Sequence, residues 1–278
     1  MSHSDTPGLA EPMLAEPAPA KLNLALHVRA KRPDGRHEIE TIFAFCTDGD
    51  RVEAREGEGL SLELAGPFAR ALSSDQDNLV LRAALGLAAA ADVSADASLR
   101  LVKNLPISSG IGGGSADAAA TLRLLTRLWR IDPVHAERVA PGLGSDVPAC
   151  LLSMTARGTG AGDRLQLIDA GVAGAPVLLV NPLRPVSTAE VFARWDGEDR
   201  SALGNWRAGR NDLEAPASAI VPEISQILSW MRGLAGLSLC RMSGSGATCF
   251  ALFVDESARD AAALQVPPDW WHLATWLR

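Results

Sequence analysis

From Lys21 to Val28 apolar and polar side chains alternate, with Leu22, Leu24, Leu26 and Val28 on one face and Lys21, Asn23, Ala25 and His27 on the other. A period of two predicts a half-buried strand with a polar face. Asp34-Gly35 gives a turn signal, and Ile39, Thr41, Phe43 and Phe45 alternate again, so a hairpin with a long loop is expected. Arg51–Glu56 and Leu60–Leu64 read as short strands that continue the sheet. The Ala/Leu-rich run from Asn78 to Ala91 reads as a helix, and Ser98 to Lys103 as a further strand.

That strand runs into a segment dense in glycine, Pro106 to Ala120, after which Ala118, Leu122, Leu125 and Trp129 fall at helical spacing. The glycines therefore lead into the N-terminus of a helix of about four turns. Gly142 to Pro148 reads as a tight loop, with Pro148 in the first turn of the next helix. The glycines between 158 and 174 mark loops and place a domain boundary near 155–160. Beyond it, Val177–Val180 is a strand, Ser187-Thr-Ala-Glu190 a capping box, Pro222 to Leu234 a helix, and Leu237–Arg241 and Thr248–Val254 strands on either side of Gly244 and Gly246. Strands and helices without a strict βαβ repeat predict an α+β fold in two domains. The expected division is a disordered Pro/Ala-rich tail over 1–18, an N-terminal domain over 19–157 and a C-terminal domain over 158–278.

Composition narrows the function. The 278 residues are 47% hydrophobic and 21% charged, ordinary for a globular chain, and the net charge of −7 argues against a nucleic-acid binder. No secretory pattern opens the chain, and Leu79 to Val93, interrupted by Arg82 and Asp92, is too short to span a bilayer. Four cysteines without C-x-x-C spacing indicate neither a zinc site nor a disulfide framework, so a cytoplasmic protein is expected. There is no tyrosine, and only three of the 26 basic residues are lysines: Lys21, Lys31 and Lys103.

The run Gly110, Gly112, Gly113, Gly114, Ser115 before a helix is what phosphate binding requires, since bare backbone approaches an anion closely and the helix start favours negative charge. It matches neither G-x-x-x-x-G-K-[ST] nor G-x-G-x-x-G. Asp117 is expected to complement the helix dipole and to point away from a phosphate. Lys21 and Asn23 share one strand face and suit phosphates and hydroxyls; an edge-strand surface lysine is the competing reading. Asp146 reads equally as a helix cap or as a general base. His37 is either a solvated loop histidine or a ligand contact, and Lys31 reads as a surface residue. Ser243-Gly-Ser-Gly-Ala247 forms a second backbone-close loop between strands.

Six motifs then fall in one order: Pro-Ala-Lys21-Leu-Asn23-Leu, Asp34-Gly-Arg-His37, Leu105 to Asp117, Leu143-Gly-Ser-Asp146-Val-Pro, Asn211-Asp-Leu-Glu214 and Met242 to Ala247. With them the chain resembles the 4-diphosphocytidyl-2-C-methylerythritol kinase family, within the galactokinase, homoserine kinase, mevalonate kinase and phosphomevalonate kinase superfamily. The resemblance implies a ribosomal protein S5 domain 2-like N-terminal domain and a ferredoxin-like C-terminal domain. It implies ATP, with Mg2+, and transfer of the γ-phosphoryl group to the 2-hydroxyl of a cytidine diphosphate sugar alcohol in isoprenoid precursor synthesis. No metal-ligand cluster is readable, and a monomer or weak homodimer is expected. Another alcohol kinase of the superfamily and a non-catalytic nucleotide-binding protein are the alternatives.

Residue by residue, the resemblance implies that Pro106, Ile107, Ser108, Ser109, Gly110, Ile111, Gly112, Gly113, Gly114, Ser115 and Ala116 take the ATP phosphates, with Asn78 and Lys103 near the adenine and ribose. Asp146 would accept the hydroxyl proton, Lys21 would hold Asp146 ionised, and Asn23 would orient the acceptor. His37 would read the cytosine and Phe192 stack on it, with Thr188, Ser243, Gly244, Ser245 and Gly246 also on the substrate. The family usually has a tyrosine before that histidine, where this chain has Arg36. A planar guanidinium can also stack on a base or meet a phosphate.

Overall fold

The computed structural model describes residues 13–75 and 77–278, and in it the alternating segment is the middle of a much longer strand. β1 (Leu14–Lys31) and β2 (His37–Arg55) form an antiparallel pair across the turn at 32–36. The two strands read around Ile39 and Arg51 are thus one, and Asp48-Gly49-Asp50, a turn by composition, lies inside it. Residues 1–12 of the expected tail lie outside the described residues, while Leu14 to Ala18 are strand. Pro17 and Pro19 mislead because this end of β1 pairs only with β2, and an edge strand tolerates proline.

β3 (Leu60–Ala65) runs parallel to β4 (Ala97–Val102), and β4 pairs with the C-terminal half of β2. β5 (Ala156–Thr159) pairs with residues 41–43 of β2, and β6 (Arg164–Leu167) with β5. This hairpin completes the six-stranded first sheet, so the boundary expected at 157/158 is corrected to beyond Leu167. Its glycines look like loop but serve the sheet: a Cβ on Gly158 would lie 2.6 Å from the Phe43 ring. Helices α1 (Leu79–Ala91), α2 (Gly113–Leu128), α3 (Val134–Leu143) and α4 (Val147–Leu152) pack together, with α2 against β1 and β2. Asn78 starts α1, its Oδ1 accepting from Val80 N at 2.9 Å. The helix α3 carries no reading in the sequence, and its end runs into the loop expected from Gly142.

The second sheet holds β7 (Pro176–Asn181), β8 (Leu237–Met242), β9 (Cys249–Phe253) and β10 (Trp271–Trp276) in the order β10-β7-β9-β8, all antiparallel. Around it lie α5 (Thr188–Ala193), α6 (Glu214–Ile220), α7 (Glu223–Arg232) and α8 (Glu256–Ala263). This fourth-first-third-second strand order is the ferredoxin-like arrangement. Ser187 caps α5 as its pattern requires.

A core of Leu22, Leu24 and Ile42 with Leu179, Phe250 and Leu252 joins the two sheets. The apolar face of β1 is thereby covered, and its other face is buried as well: Lys21 and Asn23 are each 2% exposed. A half-buried strand was the expectation. The polar face looks at a site rather than at bulk water. Among the described residues no helix is long and apolar enough to cross a membrane.

Candidate active site

β1 shifts register between Pro19 and Lys21 and again between Asn23 and Ala25, and such bulges re-aim the side chains they flank. The amide of Lys21 donates to the Ile111 carbonyl at 2.9 Å, which binds the strand to the glycine loop. Lys21 Nζ lies 2.8 Å from Asn23 Oδ1 and 2.9 Å from Asp146 Oδ2. Asn23 Nδ2 donates to Thr41 Oγ1 at 2.8 Å, and Thr41 donates to the Ala25 carbonyl at 2.7 Å. Each link orients the next, so a buried row of polar groups runs from β2 to the ammonium. Thr41 was legible only as one member of an alternating strand.

Asp146 does not cap the helix that it precedes. It precedes α4, but its side chain makes no capping hydrogen bond and turns to Lys21 instead. Its carboxylate is 33% exposed whereas the Lys21 side chain is 3%, so the pair opens to the cleft through the aspartate. Beneath it, burial pushes the Cys150 thiol up to about 12, with Asp146 adding to the effect, so Cys150 is no nucleophile.

The glycines of the long loop have different reasons to be glycine. A Cβ on Gly112 would meet Lys21 Cε at 2.9 Å, and one on Gly113 would meet Lys103 Nζ at 3.0 Å. At Gly110, where φ is +75°, a Cβ would sit 2.6 Å from the carbonyl oxygens of both Ser243 and Gly246. The two glycine-rich loops therefore touch backbone to backbone. Ser243 Oγ donates to the Gly110 carbonyl at 3.0 Å and accepts from Asn23 N at 3.1 Å, and Thr248 N donates to the Ser109 carbonyl at 3.0 Å. Asn211 secures the second loop, Nδ2 donating to the carbonyls of Met242 and Gly244 at 2.8 Å each.

A cleft of about 1100 Å³ opens over these loops. Lys21, Asn23 and Asp146 line it, with the loop residues Pro106, Ile107, Ser108, Ser109, Gly110, Gly112, Gly113, Gly114 and Ser115 and the helix-capping Asn78. Arg36 and His37 line it from the β1–β2 turn and the start of β2, and Thr188, Phe192, Gly244 and Ser245 from the side of the second sheet. Thr188 and Ser245 join hydroxyl to hydroxyl at 2.8 Å.

Four of the expected residues do not line the cleft. Ile111 and Ala116 are buried in the two cores on either side of the loop. Ser243 is fully buried as the pin between Asn23 and Gly110, and Gly246 faces Met242 and Ile224. Residues within such a glycine-rich segment also serve to pack it.

Lys103 borders the cleft, and its ammonium is paired with Asp50 at 2.5 Å and with Asp117 at 2.6 Å. Asp117 accordingly serves as this partner, in the second turn of α2, rather than as a complement to the helix dipole. Asp50 was missed because it falls between the two strands read around Ile39 and Arg51.

Lys31, read as an ordinary surface residue, lines the cleft opposite His37 in the β1–β2 register. Burial, with a smaller push from the Lys31 charge, lowers the His37 pKa. The His37 ring stacks on Phe192, centroids 4.7 Å apart at 27°, and meets Trp195 edge-on at 5.7 Å. Trp195 carries no sequence signal beyond its aromaticity. Arg36 is 59% exposed and tied to Asp34 through Nε and Nη2, both at 3.2 Å.

Two family models match the chain, GHMP kinases N terminal domain over residues 78–154 and GHMP kinases C terminal over residues 193–272. Their order follows the two sheets, and the class is that of the GHMP kinases, a glycine loop feeding a cleft between two α+β domains. A 4-diphosphocytidyl-2-C-methyl-D-erythritol kinase of Rhizorhabdus wittichii is 52% identical, over 95% of this chain and 94% of the relative. The chain belongs to the 4-diphosphocytidyl-2-C-methyl-D-erythritol kinase family. A solved 4-(cytidine 5'-diphospho)-2C-methyl-D-erythritol kinase superimposes with a TM-score of 0.81 at 31% identity, covering 95% of this chain and 99% of that one. A homoserine kinase from Cytophaga hutchinsonii shares the fold, with a TM-score of 0.67 at 17% identity over 96% of each chain.

Proposed function

We propose that this protein transfers the γ-phosphoryl group of ATP to the 2-hydroxyl of 4-diphosphocytidyl-2-C-methyl-D-erythritol, giving the 2-phosphate and ADP. The observation that carries the reading is the Lys21–Asp146 pair, 2.9 Å apart at the foot of a glycine loop and open to the cleft on the carboxylate side. Asp146 takes the hydroxyl proton as the oxygen attacks the γ-phosphorus and the bond to the leaving ADP oxygen breaks. Lys21 faces both the carboxylate and the charge that develops on the transferring group, and Asn23, fixed by Thr41, orients the acceptor hydroxyl. The loop from Pro106 to Ser115 receives the phosphates at the N-terminus of α2.

His37 and Phe192 provide aromatic faces for the cytosine, and Arg36 and Lys31 charge the same end of the cleft for the diphosphate. Among the described residues no group of three or more carboxylate, imidazole or thiol donors comes together. Magnesium would therefore arrive with ATP, held mainly by its phosphates, and would neutralise their charge when bound. The four cysteines are unpaired, as suits a reducing cytoplasm.

A coupled ADP-release assay tests the substrate. Turnover is expected with the cytidine diphosphate compound and not with the sugar alcohol lacking it. Equal turnover of the two would move the protein to another alcohol kinase of the class.

A further inference from the structure

Beneath the glycine loop lies a charged cluster for which the transfer chemistry has no use. Lys103, just past β4, is 2% exposed, and both its carboxylate partners are buried. Asp50 comes from β2 and Asp117 from α2. The second oxygen of Asp50 accepts from Asn104 N at 2.5 Å and from Leu105 N at 2.8 Å. The cluster therefore grips the chain at 103–105, immediately before the loop, and again at 117, just after it. Gly113 lies against the cluster, where a Cβ would come within 3.0 Å of Lys103 Nζ and crowd it.

Stability alone explains the cluster poorly. Removing an ammonium and two carboxyl groups from water is expensive, and well-packed apolar side chains of similar volume often do as well or better. One cation serves two carboxylates, and Asp117 Oδ1 is buried without a hydrogen-bond partner, which a network kept only for cohesion would avoid. What the ionic arrangement adds is direction, because short charged hydrogen bonds fix the separation of the groups they join.

We propose that Lys103, gripped by Asp50 and Asp117, is a positioning residue that sets the span of the 104–113 loop for a nucleoside triphosphate without touching the nucleotide. This rests on the kinase reading above. Three proteins test it by calorimetric titration with ATP and, separately, with CDP: wild type, Lys103→Met and Asp117→Asn. The expected result is ATP affinity at least ~10-fold weaker in Lys103→Met and a few-fold weaker in Asp117→Asn. CDP affinity stays within about twofold in both, because His37 stands at the opposite end of β2 from Asp50 and Phe192 stands on α5. In turnover the loss falls on the KM for ATP, with kcat at saturating ATP within about threefold.

ATP affinity unchanged in both variants, or ATP and CDP affinities falling together, would overturn the proposal. Should Lys103→Met fail to fold, Asp117→Asn, nearly isosteric and still an acceptor, carries the same comparison. A wild-type protein that binds neither ligand would instead sink the kinase reading itself.

Discussion

Two lysines of this chain are equally buried and both paired with carboxylates, but the carboxylates differ in their exposure. Lys21 stands 2.9 Å from Asp146, whose carboxylate is a third exposed and looks into the cleft. Lys103 stands 2.5 and 2.6 Å from Asp50 and Asp117, whose side chains are sealed at 0% and 4%. Burial of the cation does not distinguish chemistry from architecture. The accessibility of its partner does, because only an open carboxylate can meet a substrate hydroxyl.

The comparison breaks most visibly at the open pair. Asp146→Ala is expected to lower kcat by at least ~100-fold with ATP binding retained, and Lys21→Met to do comparably with modest change in ATP affinity. A loss of only a few-fold in steady-state assays would return Asp146 to a helix terminus and Lys21 to a strand residue. The sealed cluster should respond in stability. Lys103→Met leaves two buried carboxylates uncompensated and is expected to cost about 3–5 kcal/mol in urea unfolding. Lys21→Met, with Asp146 free to hydrate, should cost clearly less, and equal losses would erase the distinction.

The smallest effect is a pH dependence. Burial, opposed by Lys103 and assisted by Asp50, raises the Asp117 carboxyl from 3.8 to about 7. The folded state then binds this proton more tightly than the unfolded chain, so stability is fully present below about pH 4 and declines as pH rises toward 7. Asp117→Asn should flatten that segment of the stability profile. An unchanged slope would show that Asp117 is ionised throughout.

Much of this was legible in the chain. Lys21, Asn23, the glycine run and Asp146 announce themselves because each departs from its background: a polar face on an apolar strand, glycines opening a helix, an aspartate before a proline. What the chain hides is mutual contact. Nothing in Asp48-Gly49-Asp50 distinguishes a turn from the interior of a long strand until Asp50 is seen to receive Lys103 and two loop amides.

The second glycine loop looks like a ligand site for the same reason it is a support, since glycine permits close approach to a phosphate or to another backbone alike. Gly110→Ala, forced against two carbonyl oxygens at positive φ, should therefore damage both loops at once. The late elements α8 and β10 escape notice because no chemistry marks them.

The most direct test of the division between the lysines is single-turnover phosphoryl transfer from saturating ATP to 4-diphosphocytidyl-2-C-methyl-D-erythritol in Asp146→Asn and Lys103→Met side by side. The transfer rate should fall at least ~100-fold in Asp146→Asn and by less than about threefold in Lys103→Met. A comparable fall in both, or the larger fall in Lys103→Met, would contradict it.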